Sequence, residues 1–287
     1  MRGENFMRKT SVVVCTTLLL FTAGLIGLSA QQPVFPGTRG LDVSPTYDGW
    51  EHNPDDTFTM YFSYYNRNTQ EDVDVPIGPD NHFDLGSGDE GQPTHFYPGR
   101  KWWLFKVVVP KDWPKDKRVV WTLTSNGRTN LAKGWLEPEW EVERAGIILG
   151  GYRNRALPGE LDKLPKISIM GGPPQIITLP ATATLTAMAT ATSPGCEVDA
   201  QGRCATGIDL KRFQIRWIVY RGAGKVQFDP EVGPSANGKS SIASEPKVTF
   251  SMPGNYRFRA IATDGSSFAN YDVDVKVNPG PSADKAR

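Results

Sequence analysis

The chain has 287 residues, with 32 basic and 31 acidic side chains and a net charge of +1 at pH 7. Removing residues 1–30, which carry three basic groups and one acidic group, would leave 29 basic and 30 acidic residues and a net charge of −1. A nucleic-acid-binding protein needs a strongly positive surface to neutralise phosphates, so this balance excludes nucleic acid as a partner. The length that remains is sufficient for two domains of ordinary size.

The first thirty residues have the three parts of a secretory signal peptide. Basic residues open the segment (Arg2, Arg8 and Lys9), and an uncharged apolar run covers residues 11–30. The run ends at Ala30, a small residue of the kind found at cleavage sites. This order predicts an exported protein, periplasmic or extracellular, that loses the segment. The alternative is an uncleaved membrane anchor, because about 20 apolar residues can span a bilayer.

Residues 31–150 are predicted to form an aromatic-rich β-sandwich domain. Apolar side chains alternate with polar ones in three runs, which is the pattern of half-buried strands. The predicted core faces contain Phe58, Met60, Phe62 and Tyr64 in the first run, Trp103, Phe105, Val107 and Val109 in the second, and Val119, Trp121 and Leu123 in the third. Asn126-Gly127 after the third run predicts a tight hairpin turn. We find no convincing amphipathic helix of three or more turns, so the fold class is all-β.

Residues 151–173 are predicted to be a linker, because proline and glycine interrupt this stretch every few residues. A second domain follows over residues 174–279, and residues 280–287 are predicted to be a disordered tail. Cys196 and Cys204 are the cysteines that remain after export. In an oxidising compartment, two cysteines this close are predicted to form a disulfide that closes a small loop. Half of a metal site is the alternative.

The second domain contains four runs in a distinctive order: FQIRWIVY (213–220), KVTF (247–250), SMPGNYRFRAIATDG (251–265) and YDVDVKV (271–277). This order resembles the PKD-like, immunoglobulin-like repeats of bacterial surface proteins. In those repeats, a strand with a tryptophan is followed by a strand, a Pro-Gly turn, a strand of alternating aromatic residues that ends in Asp-Gly, and a last alternating strand. The resemblance covers residues 175–277. It implies a two-sheet sandwich with Trp217 in its core, used as a spacer, adhesion or ligand-display module and rarely as a catalyst.

Two stretches of the first domain, WEHNPDDTFTMYFSYYNRN (50–68) and DVPIGPDNHF (74–83), resemble a family of exported bacterial proteins. No activity follows from this resemblance.

The loop 80–90 concentrates oxygen donors. Asp80, Asn81, Asp84 and Asp89 are candidate Ca²⁺ ligands, but they match no EF-hand spacing, and a solvated, turn-rich loop is the favoured alternative. A zinc site with His82 and His95 is a weaker possibility. The glycines of residues 86–91 match the dinucleotide-binding pattern, but no helix is predicted after them and acidic residues within the pattern would repel a pyrophosphate, so no cofactor is expected.

Seven of the eight tryptophans lie in the first domain. Most are expected in core packing. Tyr61, Tyr65 and Trp102 fall on the opposite strand faces from the predicted core, and Trp113 lies in a Pro-Lys-Asp-Trp-Pro loop. Exposed aromatic rings on a sandwich can stack on sugars or anchor a protein partner.

These features lead to a first hypothesis of an exported, non-enzymatic envelope protein that binds a glycan through these four aromatic residues. A structural subunit that assembles with other envelope proteins is the second. An unrecognised hydrolase that uses carboxylates of the loop 80–90 with His82 or His95 is the third. The sequence leaves the oligomeric state open.

Overall fold

A computed structural model describes residues 37–142, 166–192, 210–265 and 267–281. The strands all lie in one compact unit, Thr38–Arg287. Within the described ranges, no helix is long and apolar enough to cross a bilayer. The predicted signal segment and the proposed Cys196–Cys204 disulfide lie outside these ranges, as does most of the predicted tail.

We refer to residues 38–142 as the first half. Its elements, in chain order, are β1 (Val43–His52), β2 (Phe58–Asn66), β3 (Val73–Asp74), β4 (Asn81–Phe83), β5 (His95–Phe96), β6 (Gly99–Arg100), β7 (Phe105–Val109), β8 (Val119–Ser125), β9 (Arg128–Gly134) and the 3₁₀ turn η1 (Pro138–Trp140). The strands are rich in aromatic and β-branched residues, which suit a pleated, half-buried surface.

The first half contains two main sheets. In one, β2 pairs with β1 on one side and with β6 and β7 on the other. The other has the order β4-β8-β9, and the short strands β3 and β5 pair separately. The predicted hairpin turn joins β8 to β9, with positive φ at both Asn126 and Gly127, as a type I′ turn requires. The all-β fold class is therefore confirmed here.

The predicted core faces of β2, β7 and β8 are those that the structure buries, except at two aromatic positions. Phe58 is only partly buried, at the margin of the core cluster. Trp103 does not belong to β7, which begins at Phe105. Its backbone adopts φ 51°, so the extended alternation predicted through Trp103 is wrong, and the residue lies in a loop.

We refer to residues 166–281 as the second half. Its strands are β10 (Lys166–Gly171), β11 (Gln175–Thr178), β12 (Ala183–Thr184), β13 (Ala187–Thr192), β14 (Gln214–Arg221), β15 (Val226–Asp229), β16 (Ser241–Ser244), β17 (Lys247–Phe250), β18 (Gly254–Thr263) and β19 (Phe268–Asn278). They form sheets of order β10-β13-β16, β11-β19-β18-β14 and β12-β17-β15.

Part of the predicted linker is a strand. β10 pairs antiparallel with β13 along its whole length, and Ile167 and Ile169 pack against the core. The linker prediction is therefore wrong for residues 166–171. The reason is that a strand with alternating isoleucines can pair and bury part of one face even when glycine and proline flank it.

The two halves meet at β14. The Tyr220 side chain is buried within the core cluster of the first half, and its hydroxyl donates to the carbonyl of Gly91 at 2.7 Å. The Thr94 N–H donates to the carbonyl of Tyr220 at 3.1 Å. Beside them, Arg221 forms a two-pronged ion pair with Asp89 at 2.6 and 3.0 Å. A stretch of the first half thus covers one end of the edge strand of the second.

Candidate binding face

A cluster of aromatic side chains lies on the outer side of the β1-β2-β7 sheet. We call Tyr61, Tyr65, Trp102 and Trp103 the aromatic face. Tyr61 and Tyr65 share one face of β2 because side chains alternate along a strand, and Tyr65 is the register partner of Arg100 in β6. Trp102 and Trp103 follow Arg100 in the loop that connects β6 to β7.

Trp102 and Tyr65 are the accessible rings of this cluster. Their exposed fractions are 55% and 43%, which are high for large apolar side chains. The Arg100 guanidinium lies over the Trp102 ring, 3.9 Å from its centroid. This cation–π contact fixes the orientation of an exposed indole that would otherwise rotate freely.

Asp48 holds the loop from beneath. It lies at an irregularity in the β1–β2 register, and its carboxylate is buried. One oxygen accepts from Arg100 at 2.8 Å, and the other accepts from the backbone N–H of Trp103 at 2.9 Å. Arg100 also donates to the Thr46 hydroxyl. One buried carboxylate therefore fixes both the Arg100 guanidinium that lies over Trp102 and the strained backbone of Trp103.

Burial dominates the electrostatics of this support. It raises the pKa of Asp48 above its ordinary value, although Ser63, the Trp103 N–H and Arg100 all act to lower it. Burial also lowers the pKa of Lys101, helped by the positive charge of Arg216. Both shifts reflect the cost of charge in a poorly hydrated place.

Tyr61 belongs to the aromatic face but is not one of its exposed rings. The ring is partly buried and packs edge-on against Trp103, with centroids 5.5 Å apart. Its hydroxyl donates to Glu51 at 2.6 Å. Of the candidate aromatic residues, Tyr65 and Trp102 are thus the ones open to a ligand.

The second half also fastens the aromatic loop. Arg259 of β18 donates to the carbonyl of Leu104, at the end of the loop. The guanidinium forms a two-pronged pair with Asp272 at 2.7 and 2.8 Å and lies over the Tyr220 ring at 3.7 Å. A cation with this many partners is a fixed anchor, so the loop is held from both halves.

Trp113 does not belong to the face. The side chain is only 9% exposed and packs in the core cluster of the first half. Its Nε1 donates to the carbonyl of Lys117 at 3.1 Å, and the Lys117 ammonium lies over the ring at 4.0 Å. The expectation that Trp113 is a contact residue is therefore wrong, because the loop folds inward and satisfies the indole N–H internally.

Three of the four Ca²⁺ candidates already have structural partners. Asn81 is fully buried, and its amide binds the carbonyls of Val75 and Pro93 and the indole of Trp121. Asp84 accepts from the backbone N–H of Val120 at 2.7 Å, and Asp89 pairs with Arg221 across the two halves.

Asp80 is exposed. Across the described ranges, no three His, Cys, Asp or Glu side chains come together to hold a metal ion. The side chains of Asn81, Asp84 and Asp89 therefore bind the protein's own donors and acceptors, which agrees with the turn-rich loop that was favoured over a Ca²⁺ site.

The histidines have separate surroundings. His95 lies between two carboxylates, with Nδ1 2.6 Å from Asp74 and Nε2 3.2 Å from Asp72. His82 lines a shallow depression of about 630 Å³ together with Asp84 and Ser87. One oxygen of the Asp84 carboxylate is already engaged by the backbone N–H of Val120 in β8.

No protein-family model matches the chain, and a search of curated proteins finds no match. Similar solved structures include the PKD domain of human KIAA0319, at 17% identity and a TM-score of 0.23, which spans 46% of this chain and 96% of that one. The D00-D0 domain of intimin matches at 12% identity and a TM-score of 0.26, over 82% of this chain and 99% of that one.

Fibronectin(III)-like modules of Clostridium thermocellum CbhA match at 12% identity and a TM-score of 0.22, over 82% of this chain and 94% of that one. The matches include the PKD class that the sequence resemblance named. At this level of similarity, the fold of this chain rests on its own strand pairing, and no ligand or activity follows.

Asp48, Arg100 and Arg259 were not identified from the sequence as parts of this site. Arg100 lies two residues before Trp102, with Lys101 between them, so a basic pair beside an exposed indole was a usable signal. Asp48 and Arg259 reach the loop through tertiary contacts with sequence separations of 55 and 155 residues, and no local pattern reveals such pairs.

Proposed function

We propose that this chain is an exported, non-enzymatic binding protein of the bacterial envelope that recognises a glycan through the aromatic face. One observation carries the proposal. Trp102 is more than half exposed, yet Arg100 and Asp48 hold it in one orientation beside the exposed Tyr65. Burying a carboxylate costs free energy, and an exposed indole adds little to stability. We therefore infer that the exposed ring of Trp102 is kept for binding.

Rigid, exposed aromatic rings suit carbohydrates. The C–H faces of a sugar ring stack on an indole, and the tyrosine hydroxyl and neighbouring polar groups can bind its hydroxyls. Because Trp102 is already oriented, little side-chain entropy is lost on binding. Glu51, Thr46 and Lys106 lie on the same sheet and supply polar groups near the rings.

The proposal is tested by depletion of purified residues 31–287 from solution by insoluble polysaccharides and peptidoglycan. These residues contain every strand described above. We expect the parent to bind at least one of these materials and Trp102→Ala to weaken the binding by more than about tenfold, as removal of a central aromatic anchor does.

Trp140→Ala is the matched control, because Trp140 is 41% exposed but lies on η1, where it packs against Tyr47. The control should bind like the parent. Equal retention of the parent and the Trp102→Ala variant would contradict the proposal, as would a parent that stays in the supernatant with every material.

A structural subunit is the second candidate, and one feature favours it. β7 pairs with β2 along one side, and in the described ranges no strand pairs with its other side. Val108 of β7 is 53% exposed. An open edge of this kind can add a strand from another chain. A molar mass by light scattering that rises with concentration would favour assembly over glycan binding.

A further inference from the structure

The second half contains a cavity of about 200 Å³ that is separate from the aromatic face. One wall is Trp217 of β14, and Phe228 of β15 adjoins it. The loop 230–234 and residues 243–246, at the end of β16 and the turn after it, complete the lining. Trp217 is only partly buried for this reason, although its position in the strand predicts a core residue.

The cavity walls are fixed before any ligand arrives. The Ile215 N–H donates to the carbonyl of Pro234 at 3.3 Å, and the Trp217 indole N–H donates to the Ser244 hydroxyl at 3.1 Å. Gly233 approaches β14 so closely that a Cβ there would lie 1.8 Å from the carbonyl oxygen of Ile215. A preformed cavity loses little entropy when it is filled.

The lining is apolar and aromatic with acidic charge at the rim. Glu231 and Glu245 are the charged residues that line it, both exposed, and no lysine or arginine lines it in the described part of the chain. Two cations directly adjoin lining residues in sequence. Lys247 is the cross-strand partner of Asp229, and Arg216 is an exposed neighbour of Trp217 whose side chain alternates to the opposite face of β14. Aromatic rings and carboxylates together attract a cation that also carries apolar surface.

We propose that this cavity binds a small organic cation, the alkylammonium group of a quaternary amine or of a lysine side chain. The volume supports this class, because pockets for drug-sized ligands span about 300–1,000 Å³ and this cavity is smaller. Glu231 and Glu245 would repel an anion, and a neutral apolar group would gain no electrostatic attraction from them.

The experiment uses ¹⁵N-labelled residues 31–287 and follows the Trp217 indole N–H by NMR. Trp217→Phe assigns that resonance, since it is the tryptophan of the second half. Choline and Nα-acetyl-lysine amide are titrated separately, which distinguishes a free quaternary amine from a protein side chain. The neutral isostere 3,3-dimethylbutan-1-ol is the matched control ligand.

We expect at least one cation to shift the Trp217 resonance saturably and the isostere to leave it in place. The Glu231→Gln, Glu245→Gln double variant should raise the dissociation constant about fivefold, and added salt should do the same. Glu139→Gln, on the surface of the first half, should change nothing. The proposal is overturned if neither cation shifts the resonance at tens of millimolar, or if the isostere shifts it equally.

Discussion

The two halves fill their interiors with side chains of different size. The core of the first half is built from large rings, with Phe83 stacked on Trp121 at 5.9 Å and Phe105 edge-on to Trp121 at 5.1 Å. The second half has two clusters, one lined largely by alanines and one by valines with a few aromatic rings. Interlocked rings make a single core in the first half, whereas small residues leave a divided core with Trp217 between its parts.

Replacement of Trp121, the ring at the centre of the first core, should therefore lower the free energy of unfolding more than any other change proposed here. Trp121→Ala should lower the free energy of unfolding by about 4 kcal/mol, since it leaves a large cavity and removes the donor to the side-chain oxygen Oδ1 of Asn81. Urea unfolding measures the change. Val275→Ala in the second half, equally buried, should lower it by about 2 kcal/mol. Equal losses in the two variants would refute the contrast between the cores.

Tyr220 tests whether the two interiors behave as one. Tyr220→Ala should lower the free energy of unfolding by about 3 kcal/mol, because the ring fills a site in the core of the other half. We expect the variant to unfold in two steps, with the tryptophan emission of the first half changing before the β-sheet signal of the second is lost.

The Tyr220→Phe variant separates the ring from its hydroxyl. It removes the hydroxyl's bonds to the Gly91 carbonyl and to Arg259 and should lower the free energy of unfolding by about 1 kcal/mol, with a single transition retained. If the alanine variant also unfolds in one step, the two halves are coupled by contacts other than this ring.

The partly exposed ion pair between Asp89 and Arg221, which also joins the two halves, should contribute least to the free energy of unfolding. The hydrogen bonds from Arg221 lower the pKa of Asp89 below its ordinary value of 3.8. A carboxyl group whose pKa is lower in the folded state stabilises above its unfolded pKa, and this contribution disappears as pH falls through the folded value. Asp89→Asn should thus cost under about 1 kcal/mol near neutral pH and nothing in strong acid.

The measurement is urea unfolding of the parent and Asp89→Asn as a function of pH, with the exposed Asp112→Asn as the control. The difference between parent and Asp89→Asn should narrow as the pH is lowered below about 4 and should shrink in high salt. A difference that stays constant with pH would mean that Asp89 acts through its backbone contacts and not through its charge.

Alternation along the chain was enough to predict the all-β class and most of the buried faces. Met60, Phe62 and Tyr64 lie inside as predicted, because a period of two survives wherever one face of a sheet is covered. The pattern failed where the chain leaves the sheet. Trp103 continues the alternation in the sequence, but a buried carboxylate pulls its backbone into a loop.

The site was predicted in part for the same reason. The phase of Tyr65 indicated exposure correctly, since Tyr65 lies in β2 and follows its alternation. Trp102 is exposed as expected, but it lies in a loop, so strand alternation is not the reason. Trp113 was misassigned, because a loop has no period from which to infer burial. The supports of Trp102 lie far away in sequence, and a single sequence does not register such contacts.

The bond from Arg259 to the Leu104 carbonyl has a consequence for how this protein can be divided. A sandwich that carries its own ligand site can be transplanted into another chain, as happens when modules are shuffled. Here the loop that displays Trp102 is held by Asp48 of the first half and by Arg259 of the second half. A graft of the first half alone would keep the aromatic rings but lose the contact from Arg259. Both halves of the protein would have to be transferred together to keep the aromatic face intact.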